Sequence, residues 1–174
     1  MKFTKTKLEG VYVIDFEKIE DERGFFARVW DKDVFTELGL DADNVQCNIS
    51  YNKNKGTLRG FHYQLEPFGE GKIVRCIKGK VYEVILDIRK ESKTFLEWEG
   101  IELNESNYKM LFIPKGFALA FQTLEDETEI FYQMTQKYMP EYAMGIRWND
   151  PKLKVKWPLK PTVISQKDQL WELL

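Results

Sequence analysis

The chain has 174 residues, 43% hydrophobic and 14% aromatic, with 12 Phe, 8 Tyr and 5 Trp. That length and apolar content suit one folded domain with a buried core and exclude a disordered chain. Its 26 basic and 28 acidic residues leave a formal charge of −2, which argues against a general nucleic-acid or anionic-membrane binder.

Taken in chain order, residues 11–16 read as a strand rich in β-branched and aromatic side chains. Asp21-Glu22-Arg23-Gly24 is a turn signal before a second strand at 25–30, and Asp31 is placed to cap a short helix at 34–38. A loop at 52–56 precedes a strand at 57–64. Further strands are predicted at 72–78, 81–87, 95–103, 108–113, 118–123 and 128–136. Gly79 sits in a tight hairpin connection, and Pro114-Lys115-Gly116 marks another turn. Short strands at spacings of about 8–12 residues predict an antiparallel sandwich or barrel. Ser165, followed by Gln166-Lys167-Asp168 and Leu170-Trp171, predicts a capped helix near the end. No repeat, low-complexity tract or linker interrupts the chain, so residues 1–174 are read as one domain.

No run approaches the ~20 apolar residues of a membrane span, and the basic start, Met1 to Lys7, lacks the apolar stretch of a secretory signal. The expectation is a cytoplasmic protein. Its two cysteines, Cys47 and Cys76, are too few for a disulfide framework and are read as thiols in a reducing compartment. The single histidine, His62, excludes a site built on two or three histidines of one subunit, and no metal is expected.

The segment Gly56-Thr57-Leu58-Arg59-Gly60-Phe61-His62-Tyr63-Gln64 is the most informative. Strict alternation puts His62 on one face with Leu58, Gly60 and Gln64, and Arg59 on the other. A bulge at Gly60 would bring Arg59 and His62 to the same side. Taken singly, the candidate residues have ordinary structural readings: a strand histidine, an edge lysine at Lys72, a core aromatic at Tyr132, a helix-capping carboxylate at Asp168.

Together they resemble the dTDP-4-dehydrorhamnose 3,5-epimerase family, enzymes of the cupin fold. The likeness runs through seven ordered segments: Asp21-Glu22-Arg23-Gly24-Phe25-Phe26, Gln46-Cys47-Asn48-Ile49-Ser50, Leu58 to Gln64, Gly71-Lys72-Ile73-Val74-Arg75, Ile113-Pro114-Lys115-Gly116-Phe117-Ala118, Gly145-Ile146-Arg147-Trp148-Asn149-Asp150 and Ser165-Gln166-Lys167-Asp168. The resemblance implies an all-β, cupin-type antiparallel sandwich or jelly roll with few short helices. It implies inversion of C3 and C5 of dTDP-4-dehydro-6-deoxy-D-glucose, without a cofactor, in the making of a rhamnose precursor for cell-surface polysaccharide.

A ketone at C4 acidifies the protons at C3 and C5, and a base with a pKa near neutrality can remove them. The resemblance makes His62 that base, Asp168 its orienting carboxylate, Lys72 the partner of the enolate and Tyr132 the acid that returns a proton from the other face. It assigns the diphosphate to Arg23 and Arg59, further substrate contacts to Gln46, Asn48 and Lys167, and nucleobase stacking to Tyr138. Arg23 and Phe26 would reach a neighbouring subunit's site, so a homodimer with exchanged N-terminal strands is expected.

Four positions depart from the family pattern. Leu119 stands where a second active-site histidine is usual, Arg28 and Ala143 where acidic residues are usual near the nucleoside, and Glu83 where an aspartate usually lies behind the catalytic histidine. Leu119, Arg28 and Ala143 motivate an alternative, a C3-only epimerase or an enzyme for a CDP-linked or other 4-keto sugar; an inactive cupin that only binds sugar nucleotides is a separate alternative.

Overall fold

The computed structural model describes residues 1–174. Fourteen strands run in the order β1 (Lys2–Lys5), β2 (Tyr12–Asp15), β3 (Ile19–Asp21), β4 (Gly24–Phe26), β5 (Gln46–Asn52), β6 (Thr57–Gln64), β7 (Lys72–Lys78), β8 (Lys80–Asp87), β9 (Trp98–Asn104), β10 (Met110–Ile113), β11 (Phe117–Thr123), β12 (Thr128–Met134), β13 (Ala143–Gly145) and β14 (Val163–Ile164). Two short helices, α1 (Lys32–Glu37) and α2 (Gln166–Leu170), complete the list with a 3-10 turn at Pro140–Tyr142. No helix is long and apolar enough to cross a membrane.

Two sheets lie face to face, as expected of a cupin-type sandwich. One runs β1-β2-β10-β7-β12-β5 and the other β13-β6-β11-β8-β9, with β14 alongside β6. Apart from the parallel pairing of β14 with β6, every pairing is antiparallel. The hairpin β3–β4 pairs only with itself and is exposed throughout.

Three apolar clusters hold this arrangement. The central one draws Val74, Leu111 and Ile130 from the first sheet and Val81, Ile85, Leu103 and Leu119 from the second. Behind the second sheet, Phe61, Val84, Leu86, Ala118 and Ala120 pack under Ile146 and Leu153 of the C-terminal region. Behind the first, Ile14, Ile73, Met110 and Phe112 pack against Phe35 of α1. Both faces of the central strands are therefore covered, and β8 reads as an almost unbroken buried run. Each fully buried aliphatic or Phe side chain contributes about 1.5–3 kcal/mol.

Most predicted elements stand within a few residues of their expected bounds. The β6 and β7 ranges coincide with prediction, and Asp31 caps α1 through its side chain. Five strands were not expected: β1, whose Lys-Phe-Thr-Lys sequence carries one partly buried side chain, β5, whose polar inner face hides the strand signal, and β3, β13 and β14, whose two or three residues are too short to show a pattern. The strand expected at 25–30 ends at Phe26, because its residues meet no sheet but their own hairpin.

Candidate active site

A cavity of about 650 Å3 opens between the two sheets and is closed at one side by the C-terminal segment. That size fits a drug-sized or sugar-nucleotide ligand. The first sheet lines it through one face of three adjacent strands. Tyr132 pairs with Val74 and Asn48, and Met134 with Lys72 and Gln46, so cross-strand partners share the cavity side. The polar inner face of β5 that hid it from strand prediction is thus cavity wall.

The second sheet lines it through β6 and β11. Here alternation fails where the glycine suggested. Arg59 pairs with Phe121 and His62 with Leu119, so three steps on β6 oppose two on β11. The extra residue is a bulge, and it puts Arg59 and His62 in the same cavity. Only glycine fits at position 60: its φ is +108°, and a Cβ would lie 2.4 Å from the Leu119 carbonyl oxygen. Phe61 turns into the core behind the sheet, with its backbone exchanging hydrogen bonds with Ile146.

α2 carries a carboxylate to His62. Ser165 caps the helix by accepting from the Asp168 N–H at 3.1 Å. Asp168 Oδ1 then lies 2.6 Å from His62 Nε2, while Oδ2 accepts from the Gly60 N–H at 3.3 Å. The Trp171 indole N–H also donates to Oδ1 at 3.3 Å. Burial pushes Asp168 up, but the hydrogen bonds and the histidine outweigh it and hold the carboxyl below its ordinary value. Trp171 lies so close to Gly145 that a Cβ there would come within 2.2 Å of its ring.

Opposite His62, Tyr132 is held above its ordinary value chiefly by burial, with Arg59 opposing and Glu70 and Glu83 adding to the rise. Arg59 is fixed by its Nε donating to Asn52 at 2.8 Å. Lys72 meets Glu70 at 2.7 Å in an almost enclosed ion pair. Glu70 was missed in the sequence, although a carboxylate two residues before a strand lysine is a legible signal for a counterion. Trp171 was missed as well; its spacing three residues after Asp168 on a short helix was the clue.

Of the remaining sequence candidates, Gln46, Asn48, Tyr138 and Lys167 line the cavity. Gln46 accepts from the Tyr138 backbone and donates to Asn48, and the Lys167 ammonium lies over the Trp171 ring. Arg23 and Phe26 do not enter it. They sit on the exposed β3–β4 hairpin, Arg23 bound to Asp21. Of the departures, Leu119, Glu83 and Ala143 are cavity wall, but Arg28 lies elsewhere, bonded to Asp31 beside the N-terminal residue. Glu83 does not stand behind His62; Asp168 holds that place. No three His, Cys, Asp or Glu side chains are grouped to hold a metal ion.

Comparison with known proteins gives this geometry its relatives. The family model described as dTDP-4-dehydrorhamnose 3,5-epimerase matches residues 5–174. The chain is 42% identical to the dTDP-4-dehydrorhamnose 3,5-epimerase of Methanothermobacter thermautotrophicus, over 99% of this chain and 94% of that one. The crystal structure of the Bacillus anthracis enzyme of that name, with TDP and pyrophosphate bound, superposes with a TM-score of 0.95 at 36% identity over 99% of both chains. The Legionella pneumophila epimerase in complex with dTDP-4-keto-L-rhamnose gives 0.92 at 36% identity, over 99% of this chain and 92% of that one. The chain belongs to the dTDP-4-dehydrorhamnose 3,5-epimerase family.

Proposed function

We propose that this member of the dTDP-4-dehydrorhamnose 3,5-epimerase family inverts C3 and C5 of dTDP-4-dehydro-6-deoxy-D-glucose to give dTDP-4-dehydro-L-rhamnose. One observation carries the mechanism: His62 and Tyr132 belong to opposite sheets and face one cavity between them. Inversion needs a base on one face of the sugar and an acid on the other.

With Asp168 ionised, its oxygen can only accept, so the proton between them sits on His62 Nε2 and the lone pair is left on Nδ1. Nδ1 is the base that takes the proton from C3 or C5. Asp168 stabilises the imidazolium that results. The negative charge moves to the C4 oxygen, where Lys72 receives it. Tyr132, kept protonated by its raised pKa, returns a proton from the far side. Arg59 meets the diphosphate with Arg23 of a second subunit, Gln46, Asn48 and Lys167 make polar contacts, and Tyr138, half exposed at the mouth, stacks on the base.

The exposed hairpin supports the homodimer: Ile19 and Phe26 are 70% and 65% exposed in the isolated chain, more than a lone subunit keeps without cause. We take residues 1–174 as one domain, and the two free cysteines support a cytoplasmic location. The product would feed cell-surface polysaccharide.

The test is proton NMR in deuterated water with the dTDP-linked 4-keto sugar. Deuterium at both C3 and C5 is expected. Leu119, an apolar cavity residue next to His62 in the sheet, favours a second reading in which C3 alone exchanges. No exchange with either dTDP- or CDP-linked sugar would overturn the enzyme reading and leave a binding protein.

A further inference from the structure

Beside Lys72 the cavity wall holds two carboxyl groups for one ammonium. Glu70 takes the ammonium, with Oε1 2.7 Å away, and both side chains are almost wholly enclosed. Glu83 comes from β8 on the facing sheet, lines the same cavity and is 2% exposed. Its Oε2 is enclosed and has no hydrogen-bond partner.

Its neighbours within its own sheet are hydrocarbon. Val81 and Ile85 share its strand and its face, Phe121 of β11 and Ile101 of β9 pair with it, and Leu119 lies diagonally across. A polar group in the middle of a largely apolar, buried strand is costly unless something satisfies it. Nothing in the chain does. Leu119, Phe121 and Ile101 offer it no donor.

We propose that Glu83 is a further catalytic residue, a carboxylic acid whose O–H donates to the C4 oxygen of the bound sugar alongside Lys72. This rests on the epimerase reading above. The proton stays on Glu83 throughout; the hydrogen bond shortens as the carbonyl becomes an enolate, so it favours the transition state over the bound ketone. A carboxyl group kept neutral by an apolar site is a known way to make such a donor.

The charge state agrees with the geometry. Burial pushes Glu83 up to about 8, with Lys72 alone pulling it down. The other titratable groups turned toward it are Cys76 of β7, raised to about 12 by burial, and Tyr132 of β12, also raised, so both stay neutral. Lys72, the one cation that acts on Glu83, is already paired to Glu70.

The test compares wild type with Glu83→Gln and Glu83→Leu on the dTDP-linked 4-keto sugar, reading kcat, KM and C3 deuterium exchange from pH 6 to 9.5. Glu83→Gln keeps an N–H donor and should retain kcat within about tenfold, without the decline expected of wild type as pH rises past about 8. Glu83→Leu removes the donor and should lower kcat and exchange by about 100-fold with little change in KM. It should melt at or above the wild-type temperature, since it replaces an unpartnered polar group with hydrocarbon, so lost activity is not lost folding. A Glu83→Leu enzyme with wild-type kcat, a Glu83→Gln enzyme as slow as Glu83→Leu, or an unchanged alkaline decline in Glu83→Gln each overturns the proposal. Wild-type protein that exchanges neither C3 nor C5 instead overturns the epimerase reading on which it rests.

Discussion

His62 is a single imidazole with one fixed neighbour, and its substitution should be decisive. His62→Asn is expected to abolish deuterium exchange at C3 and C5 together while the protein still binds dTDP; exchange that persists unchanged removes it as the base. Tyr132→Phe separates the two halves of the reaction. Proton removal should continue while the appearance of inverted product slows by about 100-fold, and equal slowing of both would count against Tyr132 as the acid. Glu83 also leaves a mark on stability. Its pKa is raised in the folded protein to about 8, so folding binds a proton that the unfolded chain gives up. The stability it contributes is complete below its unfolded value and drains away as pH rises toward about 8. Denaturation curves should therefore show wild type losing stability across that window relative to Glu83→Gln; parallel pH profiles would place the charge elsewhere. Asp168 has the opposite sign: its lowered pKa contributes above the unfolded value and is lost in acid.

At the level of elements, two small features carry the chemistry. The bulge in β6 lets Arg59 and His62 share a face, and Gly60 is its pivot. Gly60→Ala forces a Cβ against the Leu119 carbonyl at a positive φ, costing about 2–3 kcal/mol and turning Arg59 or His62 away. A melting temperature lowered by several degrees with activity lost is the expected result; wild-type activity would mean that the strand accommodates the Cβ. The second feature is α2. At five residues it cannot hold itself together, and its place depends on Ser165, Trp171 and the carboxylate it delivers. Ser165→Ala should cost about 1 kcal/mol and reduce exchange more than it reduces nucleotide binding, because the element that frays is the one holding Asp168 against His62.

The whole molecule is incomplete in one respect. Arg23 and Phe26 stand out in solvent on a hairpin that pairs only with itself, away from their own chain's cavity. The proposed exchanged dimer would carry both into a partner's cavity, and mixed dimers test it. Arg23→Ala and His62→Asn chains, each impaired alone, should regain activity when co-expressed, since one cavity of the pair then receives both native side chains. No recovery would mean that Arg23 serves its own chain or none. Ile19→Asp should shift sedimentation toward the monomer.

The sequence by itself determined the class of fold and named residues that the fold gathers around one cavity. Strands with two covered faces announce themselves as apolar runs, turns by Gly and Pro, and the two short helices by Asp31 and Ser165. The family resemblance named nine candidate residues that line the cavity, seven of them inside its motif segments. Strand β5 escaped because its inward residues are polar, which is what a binding wall requires and what a strand pattern lacks. Glu70 and Trp171 escaped because their importance lies in a partner fixed by folding. The parity of Arg59 and His62 was open until the register of β11 against β6 settled it. Only the tertiary structure could decide that His62 pairs with a carboxylate 106 residues away and faces Tyr132 across a gap, or that Glu83 stands among hydrocarbon with no donor of its own. Local sequence sets each strand's faces; what those faces meet is set by packing between sheets.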